Sequence, residues 1–505
     1  MGLRLLRFGL LATLVAAALA AAGVARTGVV PRVTTVKAPE FGIASEEPKW
    51  DGDGGLRYYS TLNDLGLTTS RLAITWDPAR PLEIAEKELF DALMPQAATR
   101  GISVSLVITA SHPTVFSNAG NRALLPQFLQ LLARRYPQIT TYVIGNEPND
   151  SHFWRPQFNA RGAAVSPAAF VDLLARSYDA LKAIDPAIRV SAGGLVAHGN
   201  DNPNAPSHIS ISPTRFVAHM GRAYRGMRRT APVMDEVSFH PYPRSARDPL
   251  LVSYAWPNAG IADLDRLKQA YWDAFHGTAQ PTFEEGLRLN LDETGWQVGV
   301  AGPHARAYDG RELSTVTDEE TQARIYGSMI RHLACDTAIK SVLIYRLTDD
   351  ASLSQWQSGL IRADRSQRPA YTAVKRAVAE IRGLCTGEPR SFRHATAVVG
   401  ARVLSAGPFA VSVDAQEDAT AMVRLLRVRR RVAGRTRSRG PTAAGARGAA
   451  VVATVKRTIR ARWRRVIRIP QRRLRPGWYV YEVTLDAHLN PARTSLLATP
   501  AFRVH

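Results

Sequence analysis

Cysteine is nearly absent from this sequence: its 505 residues contain two, Cys335 and Cys385. That excludes a Cys-x-x-Cys redox or zinc motif. Two cysteines with none to spare suit a single disulfide in an exported chain, with two unpaired buried thiols as the alternative. Nucleotide and metal signatures are missing as well. There is no His-Glu-x-x-His, no Gly-x-x-x-x-Gly-Lys-Ser/Thr and no Gly-x-Gly-x-x-Gly turn after the first apolar run. Nothing therefore calls for a zinc-protease site, a phosphate loop or a dinucleotide, and no metal or organic cofactor is expected. Long apolar runs are scarce too. Residues 8–22 form one, led by Arg4 and Arg7 and followed by small residues. This predicts a signal peptide over residues 1–25 and a polar linker over 26–39. The run is close to the roughly 20 residues of a spanning helix, so an uncleaved N-terminal anchor is the alternative. Either way the protein is expected to be secreted or held at the cell surface.

Acidic residues are in deficit, 43 against 65 basic ones, for a formal charge of +22. The deficit is local: from Ser391 onward there are 23 Lys and Arg against 5 Asp and Glu, which leaves the rest of the chain near neutral. A basic surface confined to one segment of an exported chain suits an anionic cell-wall or surface polymer better than nucleic acid. No nucleic-acid partner is expected. A solubilising accessory domain is the plainer reading of the same charge, and a monomer is expected.

From residue 41 apolar runs alternate with amphipathic helical patterns. The runs lie at 41–45, 71–76, 104–109, 142–144, 189–195, 236–239, 287–291 and 341–345. The helical patterns lie at 56–65, 86–100, 123–136, 167–184, 213–227, 262–275, 317–334 and 369–381. Continuous apolar strands separated by helices mark a parallel sheet buried on both faces. Eight such pairs predict an α/β fold, a (β/α)8 TIM barrel over residues 40–383. Beyond it, short alternating runs predict a small antiparallel β-sandwich-like domain over 391–505, with an Arg- and Gly-rich loop at 427–447.

Barrels of this kind keep their chemistry at the C-terminal strand ends. Two carboxylates fall there. Glu147, in Gly145-Asn146-Glu147-Pro148, follows the fourth run, and Glu293, in Asp292-Glu293-Thr294-Gly295-Trp296, follows the seventh. A lone buried carboxylate is costly unless paired or used. Two of them facing each other across a barrel mouth suit glycosidic bond cleavage, which needs an acid and a nucleophile or base.

These motifs resemble the retaining glycoside hydrolases of clan A, barrel enzymes related to families 5 and 39, over residues 41–381. The resemblance implies that Glu147 is the general acid/base, Glu293 the nucleophile, and Asn146 the partner of the sugar 2-hydroxyl. It also implies that Arg71 on the second strand braces the nucleophile and that Tyr242, in His240-Pro241-Tyr242, donates to it. His112 is expected near the cleaved sugar. Trp296 is either a sugar-stacking wall or rim packing, and Trp76, Trp154 and Trp256 are expected on the same rim. The eighth strand departs from the pattern: where the clan carries a tryptophan, this chain has Tyr345, with Trp356 further on. For Glu147 to act as the acid it must hold a proton, and the charge of Glu293 is expected to raise its pKa. The expected activity is secreted, retaining O-glycoside hydrolysis of a carbohydrate substrate. The alternative is an inactive barrel acting as a cell-surface carbohydrate-binding protein.

Overall fold

The computed structural model describes residues 36–392, 398, 401–415, 417–428, 449–460, 464–471, 473–488 and 493–505. The expected signal peptide, most of the linker, and the basic stretch beyond Val428 lie outside the described residues.

Eight parallel strands close a barrel in chain order. They are β1 (Glu40–Ala44), β2 (Thr69–Trp76), β3 (Ser103–Ala110), β4 (Thr141–Ile144), β5 (Arg189–Val196), β6 (Glu236–His240), β7 (Arg288–Thr294) and β8 (Ile339–Tyr345). The seam closes where Glu40 to Ala44 pair with Ser341 to Tyr345. Between the strands run α1 (Glu47–Trp50), α2 (Leu56–Leu65), α3 (Lys87–Thr99), α4 (Ala119–Arg135), α5 (Ser166–Lys182), α6 (Pro213–Met227), α7 (Leu264–Phe275), α8 (Glu319–Leu333) and α9 (Pro369–Ile381). The expected (β/α)8 barrel is thus present, and the short α1 is an element the sequence pattern did not signal.

Strand alternation sorts the side chains. Leu72 and Ile74, Leu106 and Ile108, Val237 and Phe239, and Leu289 and Leu291 join the core shared with the helices. The intervening residues point into the barrel and are often polar. Low in the barrel, buried Glu236 is held by Lys340 at 2.9 Å and by Asn290 Nδ2 at 2.7 Å. An unpaired carboxylate there would be expensive, and these partners satisfy it. The opposite end is left for a site. Cys335, after α8, and Cys385, after α9, form a disulfide.

The C-terminal part is antiparallel. Strands β9 (Arg402–Gly407), β10 (Ala410–Asp414) and β13 (Arg465–Arg468) make one sheet. The second contains β11 (Ala419–Val428), β12 (Ala450–Ile459), β14 (Gly477–Ala487), β15 (Thr494–Ala498) and β16 (Phe502–Val504). Val411 and Val413 share a core with Val423, Leu425, Tyr481 and Val483, so the two sheets pack face to face as expected. Arg427 and Val428 belong to β11 rather than to the basic loop. Buried Arg493 ties this part to the barrel, pairing with Glu417 and, at 3.0 Å, with Asp273 of α7.

Candidate active site

At the C-terminal strand ends a cavity of about 680 Å³ opens, lined by Arg71, Asn146, Glu147, His240, Tyr242, Glu293 and Tyr345 among others. The chain reaches it through local departures from regular geometry. After β4, Gly145 adopts φ +78° and Glu147 itself φ +41°, a left-handed conformation that L side chains seldom take. Asn149 holds this turn in place. Its amide donates to Ile211 O at 2.9 Å and Val196 O at 3.2 Å, and its oxygen accepts Val196 N at 2.9 Å.

Strand β7 shifts register against β8 between Leu291 and Thr294. A shift of this kind re-aims side chains, and two consecutive carboxylates, Asp292 and Glu293, both meet Arg71. The guanidinium contacts Glu293 Oε1 at 2.6 Å, Asp292 Oδ2 at 3.1 Å and Asn146 Oδ1 at 2.7 Å. Tyr242 donates its hydroxyl to Glu293 Oε2 at 3.1 Å. Strand β5 is also irregular, between Ala192 and Leu195. There a Cβ on Gly194 would stand 2.0 Å from His240 Nε2, so only glycine leaves room for that ring.

His240 is the electrostatic hub. Its Nδ1 lies 2.7 Å from Glu147 Oε1 and 3.7 Å from Glu293 Oε2, and its Nε2 faces Asp292 Oδ1 at 3.3 Å. Burial alone would lower its pKa. The charges of Glu293 and Asp292, with the bonds to Asp292 and Glu147, overcome burial and raise it to about 10. The ring is therefore an imidazolium at neutral pH, donating from Nδ1 to Glu147 and facing Asp292 with Nε2. Glu147 is raised above the usual carboxylate range. Burial is the first cause, the bond and charge of His240 oppose it, and the charge of Glu293 adds a smaller upward push. The upward direction is the expected one, with burial rather than the charge of Glu293 as its leading cause. A carboxylate oxygen of Glu147 lies within 4.8 Å of one of Glu293.

The expected aromatic residues separate into two sets. Tyr345 and Trp356 both line the cavity. Trp356 lies 5.0 Å from Tyr242 and 5.7 Å from Tyr345 by ring centroid, forming one aromatic wall. Burial, with Glu293 second, raises Tyr345 to about 12. The other tryptophans are packing: Trp76, Trp154, Trp256 and Trp296 are all buried. Trp296 donates its indole N–H to Asp248 O at 3.0 Å and packs on Tyr326, outside the cavity lining. The rim-packing alternative describes its position. His112 stands in a small neighbouring recess that it shares with Asn146, its Nδ1 2.8 Å from Thr114 Oγ1.

Sequence reading did not single out Asp292, Glu46, His198 or Arg346. Asp292 sits beside a residue already assigned, and strict alternation would turn only one of two neighbours inward. Glu46 accepts Ala73 N at 2.8 Å and pairs with Lys49 at 2.6 Å. His198 lines the cavity, and burial, with the charge of Arg244, lowers it to about 4. Arg346 follows β8 in a left-handed conformation, φ +71°. Isolated residues just after apolar runs were the available signal for these.

No protein-family profile matches the chain, and no curated protein matches it. Solved structures do. A family 39 glycoside hydrolase from Bacteroides cellulosilyticus WH2 aligns with 17% identity over 77% of this chain and 75% of that one, TM-score 0.47. GH5_18 from Streptomyces cattleya aligns with 18% identity over 70% and 83%, TM-score 0.43. A glucosidase from Croceicoccus marinus aligns with 12% identity over 94% and 97%, TM-score 0.47. The likeness is one of fold: the chain is an eight-stranded parallel barrel followed by a β-rich domain, similar to glycoside hydrolases of families 39 and 5 among others.

Proposed function

We propose that this chain is a retaining O-glycoside hydrolase acting by double displacement on an oligosaccharide, polysaccharide or glycoside. The observation that carries the reading is the approach of the Glu147 and Glu293 carboxylates to within 4.8 Å inside one cavity. Retaining enzymes hold their carboxyl groups about 5–5.5 Å apart, and oxygens that approach this closely suit that spacing better than the about 6.5–9.5 Å that inverting ones leave for an intervening water. The surroundings of the two glutamates also differ in the way such chemistry needs. Glu293 is braced between Arg71 and Tyr242 and turned to the cavity, as a nucleophile must be. Glu147 is shifted toward its protonated form by burial, as a general acid must be.

In the first step Glu293 attacks the anomeric carbon while Glu147 delivers its proton to the departing oxygen. In the second, Glu147 takes a proton from water, which cleaves the glycosyl–enzyme ester and frees Glu293. The His240 N–H on Oε1 leaves Oε2 of Glu147 as the proton-carrying atom and stabilises the carboxylate that each turnover generates. Asn146, its oxygen taken by Arg71, has its amide NH₂ left for the sugar 2-hydroxyl, and the aromatic wall of Tyr345 and Trp356 suits a sugar face. The remaining expectations stand with this reading. The chain is exported, which the disulfide suits, and it acts as a monomer. Its basic C-terminal part contacts an anionic polymer, with retention that weakens steeply as salt rises.

The test is leaving-group dependence. Glu147→Ala should retain a burst of dinitrophenolate and most of its kcat/KM on dinitrophenyl glycosides, whose first step needs no acid, and lose activity on alkyl glycosides. Glu293→Ala should lose both. Equal loss of both substrates in Glu147→Ala would overturn the assignment. Sugar binding left intact in Glu147→Ala, with no turnover of any glycoside by the wild-type chain, would favour the carbohydrate-binding alternative.

A further inference from the structure

Among the described residues, two groups of three side chains offer metal-ligating atoms that lie within 4.8 Å of one another. One is Glu147, His240 and Glu293. There both ring nitrogens of His240 face carboxylates, so no lone pair is free for a metal. The other group is Asp150, His152 and His208, which the proposed hydrolysis does not use. We propose that Asp150, His152 and His208 form a binding site for a divalent transition metal of the zinc class at the mouth of the cavity.

The donor set argues for the class. Two imidazoles and one carboxylate suit zinc and its neighbours, whereas magnesium and calcium call for oxygen ligands. The backbone argues for preorganisation. Asp150 and His152 lie on the loop after β4, and His208 lies on the loop after β5. Those loops are stitched together where Ser151 N donates to Ile209 O at 3.0 Å and Ile211 N to Asn149 O at 2.9 Å. His208 is held in a left-handed conformation, φ +52°, and its carbonyl accepts Asn200 Nδ2 at 2.8 Å. Little loop entropy is thus left to lose when an ion arrives.

The side chains are set for the same purpose. Asp150 is buried, and its Oδ1 accepts both the backbone N–H of His152 at 2.8 Å and ring Nδ1 at 2.9 Å. An ion that takes the place of the Nδ1 proton would lie between that nitrogen and the Asp150 carboxylate, two donors already side by side. The His152 and His208 rings are exposed, with centroids 4.3 Å apart. A tetrahedral ion with bonds of about 2.1 Å needs its ligand atoms about 3.4 Å apart; the three donor atoms already lie within 4.8 Å of one another, and rotation of the exposed rings about their side-chain bonds would bring them to that spacing. All three residues line the same cavity as Glu147, so the remaining coordination position faces that cavity. Bound metal would therefore clamp the two loops that wall the cavity beside the general acid. The proposal does not depend on the hydrolase reading.

The test is calorimetric titration of the full, chelator-treated chain with Zn²⁺ alone, and in parallel with Ca²⁺. One equivalent of Zn²⁺ should bind, with little heat from Ca²⁺. His208→Asn keeps a residue that tolerates the left-handed backbone, and it should weaken Zn²⁺ binding at least tenfold without moving the metal-free melting temperature. His152→Ala should do the same. Glu147→Gln should leave binding intact. No saturable Zn²⁺ binding, binding that survives His208→Asn, or binding abolished by Glu147→Gln would each overturn the proposal.

Discussion

Replacing Arg71 with methionine should destabilise the barrel in a way that depends on pH. Arg71 is the shared cation of Asp292 and Glu293, at 3.1 and 2.6 Å, and its own side chain is buried. Methionine fills similar space but leaves two carboxylates without their guanidinium. Breaking a buried pair from one side costs about 3–5 kcal/mol. The lower part of that range applies here, because His240 still faces Asp292 and Glu293 borders the cavity. An unfolding entropy of roughly 2.1 cal/mol/K per residue over a barrel of this size gives about 0.7 kcal/mol/K, so the melting temperature should drop by about 5 °C at pH 7.

Asp292 sets the pH dependence. Burial would raise its pKa, but His240 and Arg71 hold it below the ordinary value. A depressed folded pKa contributes stability that is present above the unfolded value of about 3.9 and lost as pH falls through the folded one. Without Arg71 that contribution shrinks. The deficit should therefore be full at pH 7 and narrow below about pH 4, where protonation relieves the unpaired acids in the variant. Differential scanning calorimetry of both proteins at pH 7 and pH 3.5 measures it. A melting shift under about 1 °C at pH 7, or an equal deficit at both pH values, would refute the reasoning.

Other consequences are simpler. His240→Asn removes the charge and hydrogen bond that lower Glu147, so the alkaline limb of the kcat/KM profile should move to higher pH; an unmoved or lowered limb would exclude His240 from setting that proton. Gly194→Ala should depress activity through the same ring, since the new Cβ would sit 2.0 Å from His240 Nε2, and the altered pH profile distinguishes it from simple misfolding. Joint replacement of Cys335 and Cys385 by serine opens a loop of 50 residues and should cost about 4 kcal/mol, read as a lower denaturant midpoint that a reducing agent reproduces in the wild type.

Much of the barrel could be read from the chain because its outer strand faces and its helices each bury a continuous apolar surface. Leu56–Leu65, Pro213–Met227 and Pro369–Ile381 begin and end where their periodicity does. Glu147 and Glu293 were legible because a carboxylate follows an apolar run at two different strands, whereas Arg71 and Tyr242 were singled out by the resemblance to clan A. What escaped depended on irregular geometry. The turn of Glu293 into the cavity beside Asp292 follows a register shift that no local pattern signals. The room around His240 comes from Gly194, whose role appears only once β5 and β6 are side by side. Trp296 and the other rim tryptophans were ambiguous because an indole satisfies a packing role and a stacking role with the same chemistry. Whether it is buried decides, and burial is a property of the assembled barrel.

The most direct test of the central claim is covalent trapping. A panel of activated 2-deoxy-2-fluoro glycosides should include one that inactivates the enzyme with time, and mass mapping should place a single fluoroglycosyl group on Glu293 within residues 289–296. A label on any other carboxylate, or turnover of a natural glycoside with inversion at the anomeric carbon, would contradict the account.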